Sequence, residues 1–322
     1  MKPSVLVVTS IEDNTADWVI DALNRRRVPV VRIDPADLGP ALHLTATVGG
    51  RQRVWGGRLR TASRELDLGR VAAVYHRRPS PWRFHHLPAQ AAAFAANEAR
   101  HGLGALLANL PRARYVNHPG AVNQAEFKTV GLQAAVDLGF TVPATMVTND
   151  VEAARAFAAE HGPVIYKPFR GLPPGPDGHT GAIWAQRVDP GTFDESIEVT
   201  SHMFQAEVRH KTGDARVTMV GEQVFAHRIT SPDGALDWRR GDWAALEHEP
   251  IAVPDPVRRR MRAYLDHFSL VFGCFDVAMT GTGRREEHWT WIECNANGQW
   301  GWLPDAEQIT EAFADALTEG WT

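Results

Sequence analysis

The stretches "CFDVAMTG" and "HWTWIECNA" are apolar runs separated by "TGRREE". They read as two neighbouring antiparallel strands. Side chains on a strand alternate faces. Glu293 and Asn295 lie two residues apart, so they point the same way, and Asp276 on the adjacent strand is a further candidate for that face. For any one of the three, a sheet residue facing water is the simpler reading. Together, flanked by solid apolar sequence, they imply burial, and buried charges need partners. Two carboxylates and an amide oxygen make a hard site that suits Mg²⁺ shared with nucleotide phosphates, rather than a closed protein cage. The same alternation puts Cys294 on the opposite face and Cys274 on that of Asp276. A disulfide between them is not expected, and both read as small packing residues.

Upstream of this pair the chain reads as α/β. "SVLVVTS" is a buried strand, a helix covers about 15–26, and "VPVVRID" is a second strand. "LHLTATVGGRQRVWGGRL" reads as a hairpin turning at Gly49-Gly50. "VAAVYHRRPS" is a strand that ends in a basic cluster, and an Ala-rich helix follows over about 88–107. Next comes one helix over Ala121–Gly139, ended by Gly139 as a left-handed cap. Strands "ATMVT", "PVIYKPF" and "MFQAEV" follow, with a helix over about 150–161 among them. The Gly- and Pro-rich stretch Arg170–Ala182 is a loop. "DARVTMVGEQVFAHRI" is a hairpin, a basic helix spans about 256–270, and a last helix covers about 305–317. The C-terminal part is therefore α+β.

Cations punctuate this order. Lys128 lies in the helix Ala121–Gly139. Lys167 ends an apolar strand, three residues before the Gly-rich loop, a poor place for an idle ammonium. A Lys beside exposed loop N–H groups fits phosphate binding. There is no G-x-x-x-x-G-K-[ST] and no G-x-G-x-x-G after the first strand, so neither a P-loop nor a dinucleotide-binding start is present. Arg216 and Arg228 sit on successive strands of the hairpin, and Asp214 shares the face of Arg216. An Asp beside an Arg fixes the guanidinium direction, and two arginines aimed into a site neutralise a transferring phosphoryl group. The alternative is a surface pair contributing under about 1 kcal/mol. Neither G-x-S-x-G nor zinc-ligand spacing occurs.

The bulk properties exclude little else. With 34 basic against 38 acidic residues the net charge is −4, which gives no footing for nucleic acid. No apolar run is long enough to span a bilayer, and the N-terminal run is too brief for a signal peptide. Two cysteines make no disulfide framework, so a cytoplasmic location is the default expectation. Eleven Trp is high for 322 residues; packing, or exposed surface for a peptide partner, accounts for it.

The sequence of helix Lys, strand-end Lys, Gly-rich loop, "D-x-R", then Asp and "E-x-N" on adjacent strands resembles the ATP-grasp fold. The stretches "VNQAEFKTVGLQAAVDLGFTVPATMVT", "VIYKPFRG", "DARVTMVGEQVFAHRI" and "WIECNANGQWGWL" resemble one branch, the ribosomal-peptide maturases that make graspetides of the microviridin type. "VLVVTSIEDNTADWVIDAL" and "VYHRRPS" resemble actinobacterial members of that branch. The resemblance implies an N-terminal α/β pre-ATP-grasp domain over 1–120, a central subdomain over 121–200 and a C-terminal subdomain over 201–322. It implies a ligase that uses ATP and Mg²⁺ to phosphorylate an Asp or Glu side chain of a precursor peptide, leader plus core. A Ser or Thr hydroxyl or a Lys amine of the same peptide then displaces phosphate. Lys128 and Lys167 would bind the ATP phosphates, Gln205 or Glu207 would serve the adenine hinge, and Asp276, Glu293 and Asn295 would hold Mg²⁺. Arg216 and Arg228, with Asp214, would steady the γ-phosphate and the acceptor carboxylate. Homodimers are usual among similar enzymes.

The loop Arg170–Ala182 is the natural lid over an acyl phosphate that water must not reach. The cluster His76-Arg77-Arg78 offers itself to an acidic peptide, whereas Arg258–Arg260 read as a solvated helix face. Two other functions stay open: a ligase acting on free amino acids or a protein C-terminus, and a non-catalytic module that binds nucleotide or peptide.

Overall fold

The fold is that of a computed structural model, which describes residues 3–171, 183–231 and 236–321. Of the loop read as a lid, residues 172–182 lie outside the described residues. No helix among the described residues is long and apolar enough to cross a membrane.

The chain begins with a parallel sheet of order β2-β1-β6-β7, made of β1 (Ser4–Val8), β2 (Val30–Ile33), β6 (Val71–His76) and β7 (Arg114–Val116). All five residues of β1 are buried, as expected of a strand covered on both faces. Helix α1 (Asn14–Arg25) joins β1 to β2. A small sheet of β3 (His43–Gly49), β4 (Gln52–Arg60) and β5 (Glu65–Asp67) sits beside it, with Gly49 and Gly50 at the expected turn. The Ala-rich segment is α2 (Ala89–Ala99), a π-helical turn Arg100–Gly104 and α3 (Ala105–Leu107), so the expected helix runs through continuously with a π-turn inside it.

The expected helix Ala121–Gly139, by contrast, is two helices, α4 (Pro119–Ala125) and α5 (Lys128–Asp137). Phe127 between them is extended, at φ −70° and ψ 106°, and its ring is exposed. Lys128 is thereby the first residue of α5. Gly139 closes α5 at φ +79° as expected, a conformation that costs other residues a Cβ clash. A second sheet, β10-β9-β11-β8, consists of β8 (Thr145–Thr148), β9 (Val164–Tyr166), β10 (Gln186–Val188) and β11 (His202–Ala206). Helix α6 (Val151–His161) packs on it through Ala154, Phe157 and Ala158.

The C-terminal sheet is antiparallel, in the order β14-β13-β12-β15-β16. Its strands are β12 (Lys211–Val220), β13 (Gln223–Thr230), β14 (Glu247–Pro250), β15 (Phe272–Thr280) and β16 (Trp289–Asn295). One face carries Ala215, Val217 and Phe275 against Met261, Tyr264 and Leu265 of α7 (Asp255–His267) and Ala134 and Ala135 of α5. The opposite polar side of α7 pairs Arg258 with Asp255 and Arg262 with Asp266, in keeping with a solvated face. Helix α8 (Ala306–Thr318) inserts Ile309, Phe313 and Leu317 between the first sheet and the far end of this one. These side chains are fully buried, each contributing about 1.5–3 kcal/mol. The tryptophans divide as well: Trp289, Trp291 and Trp300 are core, while Trp18, Trp55, Trp184 and Trp243 are exposed.

Candidate active site

Register decides which side chains meet. Arg216 pairs with Asp276 across β12 and β15, Asp276 with Glu293 across β15 and β16, and Cys274 with Asn295. All therefore face one side of the sheet, away from α7. A bulge opposite Asp276 and Val277 leaves Ile292 as the extra residue of β16. Bulges at a sheet edge re-aim side chains; here Trp291 enters the core while Glu293 turns to the cleft.

The three expected metal-binding residues do gather. The Asn295 amide Nδ2 donates to Asp276 Oδ2 at 3.1 Å and to Glu293 Oε1 at 3.2 Å. Nη1 of Arg216 donates to both oxygens of Asp276, at 2.8 and 2.9 Å. Lys128 Nζ donates to Glu293 Oε2 at 2.7 Å, and Arg239 Nη1 lies 3.7 Å from Oε1. Lys167 Nζ donates to Gln205 Oε1 at 3.3 Å, and Gln205 Nε2 donates on to Thr145 Oγ1 at 2.9 Å.

Burial would raise both carboxyls. For Glu293 the facing Lys128, Lys167 and Arg239 more than offset it, so this group stays well below the usual range. Burial raises Asp276, aided by neighbouring Glu293 and opposed by Arg216. Glu293 is thus the firmer anion of the pair. Burial pulls the Lys167 ammonium down to about 8, against the attraction of Glu293. The Asp214 carboxyl is pushed up to about 6 by burial, with Lys211 opposing.

These groups line a cleft of about 810 Å³ between the second sheet and the C-terminal sheet. Lys167, Gln205 and Glu207 form one wall, and Asp214, Asp276 and Glu293 the other. Lys128 lies beyond Glu293, in a neighbouring cavity of about 250 Å³ that Glu293 and Asn295 also line. Among the described residues no three His, Cys, Asp or Glu side chains are grouped to hold a metal ion. The donor set is two carboxylates plus the Asn295 amide, whose oxygen and nitrogen exchange by a flip. That chemistry fits a hard divalent ion sharing its coordination with phosphates. Lys128, Lys167, Arg216 and Arg239 exceed Asp276 and Glu293 by two formal charges, which suits a polyphosphate anion.

Three expectations need correction. Arg228 does not join Arg216. It pairs with Ala215, whereas Arg216 pairs with His227, so the two arginines point to opposite faces. Arg228 Nη2 donates instead to Thr212 Oγ1 and to the Gly281 carbonyl, at 2.7 and 2.8 Å. Asp214 does not orient Arg216; it accepts from Lys211 Nζ at 2.8 Å, while both oxygens of Asp276 accept from Nη1 of Arg216. Arg77 cannot face a peptide, being 1% exposed. Glu207 lines the cleft but is held by Arg187, through two bonds of 2.6 Å.

Arg239 is the residue that sequence reasoning missed. Asp237 accepts from its Nε and Nη2, both at 2.8 Å, and its guanidinium lies 5.7 Å from the Trp184 ring centroid. The signal was present, since "DWR" repeats the D-x-R spacing of "DAR". In this second copy the Asp–Arg pair does form.

No family model matches the sequence. A stretch of 154 residues is 30% identical to glutathione synthetase of Rhodopseudomonas palustris, covering 44% of this chain and 45% of that protein. The chain thus spans less than half the length of that curated relative. Similarity in structure runs much further. A RiPP-associated ATP-grasp ligase of Chryseobacterium gregarium, solved with ADP and a leader and core peptide, superposes with a TM-score of 0.87 at 24% identity, over 98% of this chain and 97% of its own. Macrocyclase MdnC of Microcystis aeruginosa, bound with precursor peptide MdnA, gives 0.84 at 25% identity, over 98% and 99%. Ligase PsnB with a minimal precursor gives 0.73 at 23%, over 98% of each chain. With the cleft between two sheets, its cations and its late carboxylate strands, this agreement along nearly the whole length shows that the chain has the ATP-grasp fold, laid out like the RiPP-associated ATP-grasp ligases.

Proposed function

We propose that the chain is an ATP-dependent carboxylate ligase that closes ester or amide crosslinks within a ribosomal precursor peptide. The observation that carries the proposal is the cation-rich cleft that converges on Asp276, Glu293 and Asn295. The structural relatives that are bound to ADP and to leader, core or precursor peptides support it. PsnB has also been solved with Mg and ADP.

A carboxylate is a poor electrophile because its leaving group would be oxide. Transfer of the γ-phosphoryl group from ATP to an Asp or Glu of the peptide releases ADP and forms an acyl phosphate. A Ser or Thr hydroxyl, or a Lys amine, of the same peptide attacks the acyl carbon. Phosphate leaves, the nucleophile loses its proton, and the crosslinked peptide is lighter by one water. The first step brings two anions together, so their charge must be screened. Lys167 and Lys128 serve the ATP phosphates in this reading. Arg216 and Arg239 flank the acceptor carboxylate and the transferring group, with Arg239 taking the place expected of Arg228. Gln205 and Glu207 line the wall assigned to the adenine. Asp276, Glu293 and the Asn295 oxygen would hold Mg²⁺, which supplies charge neutralisation on the phosphates.

Incubation with ATP, Mg²⁺ and candidate precursor peptides tests the proposal. ADP release matched to loss of one water per crosslink supports it, and ADP release without peptide modification counts against it. The likeness to glutathione synthetase favours a second reading, ligation of free amino acids, for which an added amine would give a heavier adduct.

Arg239→Ala is expected to lower kcat about 10²-fold, whereas Arg228→Ala, on the opposite face, should stay within about threefold of the parent. Steady-state rates of the two variants check the assignment; the reverse order would return the role to Arg228. Nucleotide affinity should also depend on Lys167. Its ammonium is charged below about 8 and neutral above. A bound phosphate raises that value, so affinity for ATP should be constant below the free-enzyme value and weaken above it. The slope approaches about tenfold per pH unit. Binding titrations at pH 7 to 9.5 check this, and a flat profile would remove Lys167 from the phosphates.

A further inference from the structure

The N-terminal sheet reaches the cleft without lining it. Arg77 follows the last residue of β6 and is buried. Its Nε lies 3.2 Å from Asp13 Oδ2 and donates to Thr15 Oγ1 at 3.1 Å. Asp13 is itself held by Thr9 and Thr15 hydroxyls at 2.8 and 2.6 Å. The other end of the guanidinium turns to the segment after β16. Nη1 donates to the Gly298 carbonyl at 3.3 Å, and Nη2 donates to Gln299 Oε1. The Asn297 amide donates back to the Arg77 carbonyl. One peptide further on, the Gln299 carbonyl accepts from Arg216 Nη2 at 3.0 Å.

Gly298 shows how tightly this segment is pressed on the site. A Cβ there would lie 2.6 Å from Cys274 Cβ and 3.0 Å from Arg216 Nη2. The turn therefore cannot shift without moving Arg216, and Arg216 is the group that grips Asp276. A continuous hydrogen-bonded chain runs from Asp13 through Arg77 and Gln299 to Arg216. Such networks have discrete geometries and are stronger than isolated bonds.

We propose that Arg77 is a positioning residue for the ligase reaction: it fixes the segment Asn297–Trp300 and, through the Gln299 carbonyl, the direction of the Arg216 guanidinium. The inference rests on the ligase reading above. Arg77→Lys keeps a cation beside Asp13 but loses the planar fork, so it cannot serve Asp13, Gly298 and Gln299 together. Small misplacement of a site group costs up to about 10²-fold in rate. Expected is a kcat lower by about 10- to 100-fold, with KM for ATP within about threefold and near-UV circular dichroism unchanged. In an Arg216→Lys background the same substitution should cost less than about threefold more, because its route to the chemistry is already lost. Equal factors in both backgrounds, or a change confined to KM, would overturn the proposal.

Should Arg77→Lys not fold, Gln299→Met decides, since it removes one acceptor of the fork and keeps the carbonyl. Its kcat should fall about three- to tenfold, and an unchanged kcat overturns the proposal. If the parent protein itself neither releases ADP nor modifies any peptide, the ligase reading has failed. The link between Arg77 and Arg216 is then read from thermal unfolding of the single and double variants. Shifts in Tm that fall short of their sum uphold the link, and shifts that simply add sink it.

Discussion

Glu293→Gln should abolish ATP-dependent crosslinking, by at least about 10³-fold, in a protein that remains folded. The substitution keeps the shape and removes one charge. Glu293 is the anion that Lys128 grips at 2.7 Å and that Arg239 approaches to 3.7 Å. Its carboxyl is held low by these cations and Lys167 despite burial, so at neutral pH it is always ionised. With Gln in place, the cations lose their shared counter-charge and the oxygen set for a divalent ion loses its firmest member. Removing one partner of a buried pair costs on the order of 3 kcal/mol, so the midpoint of thermal unfolding should also fall. Nucleotide affinity provides a separate readout. The parent should need Mg²⁺ for tight ADP binding; the variant, with its extra positive charge, should bind ADP nearly independently of Mg²⁺. Near-normal turnover, or an intact Mg²⁺ dependence, would take Glu293 out of the metal site.

Arg216→Ala comes second. It should reduce turnover about 10²- to 10³-fold and change ATP affinity far less. The guanidinium is 7% exposed at its side chain and takes both oxygens of Asp276. Burial and Glu293 already raise Asp276, and Arg216 is the main influence that opposes them. Without Arg216 the carboxyl rises further and keeps its proton to higher pH. A group whose value has gone up needs higher pH to ionise, so the residual rate of the variant should climb as pH increases, more steeply than that of the parent. Rate profiles from pH 6 to 9 test this. Unchanged turnover with equal ATP binding would return Arg216 to a structural ion pair.

The two arginines of the hairpin show where sequence reasoning stops. Both lie on strands that are plain from their alternation, and each residue's parity along its own strand is certain. Whether two strands present the same parity to one face depends on register, and register depends on the turn between them. The turn at Gly221 sets Ala215 opposite Arg228 and Arg216 opposite His227. A one-residue slip would exchange the faces, and nothing local to either arginine reports it. The D-x-R spacing misled in a similar way. Asp214 and Arg216 do share a face, but Asp276 across the strand offers Arg216 both oxygens, and Lys211 takes Asp214.

The interrupted helix has another cause. Positions 121–139 contain no proline and read as one helix ended by Gly139. The break at Phe127 places Lys128 at the first turn of α5, against Glu293. Helix propensity is a weak preference that a charged contact of this kind outweighs. Conversely, the basic cluster at 76–78 was legible as charge but not as burial. Arg77 enters the interior because Asp13 and Thr15 of one segment and the Gly298 carbonyl of another, far along the chain, are brought around it.

By itself the sequence determined what short-range physics controls: strand alternation, and with it the shared face of Glu293 and Asn295, to which Asp276 was only a candidate until register placed it; the turns at Gly49-Gly50 and Gly221; and the cap at Gly139. It also carried enough ordered motifs to point to the ATP-grasp fold, which the structure bears out. Tertiary structure alone decided which cation meets which carboxylate. Those partners come from segments far apart in the chain, and a salt bridge depends on distance in space, which pairing register and domain packing set.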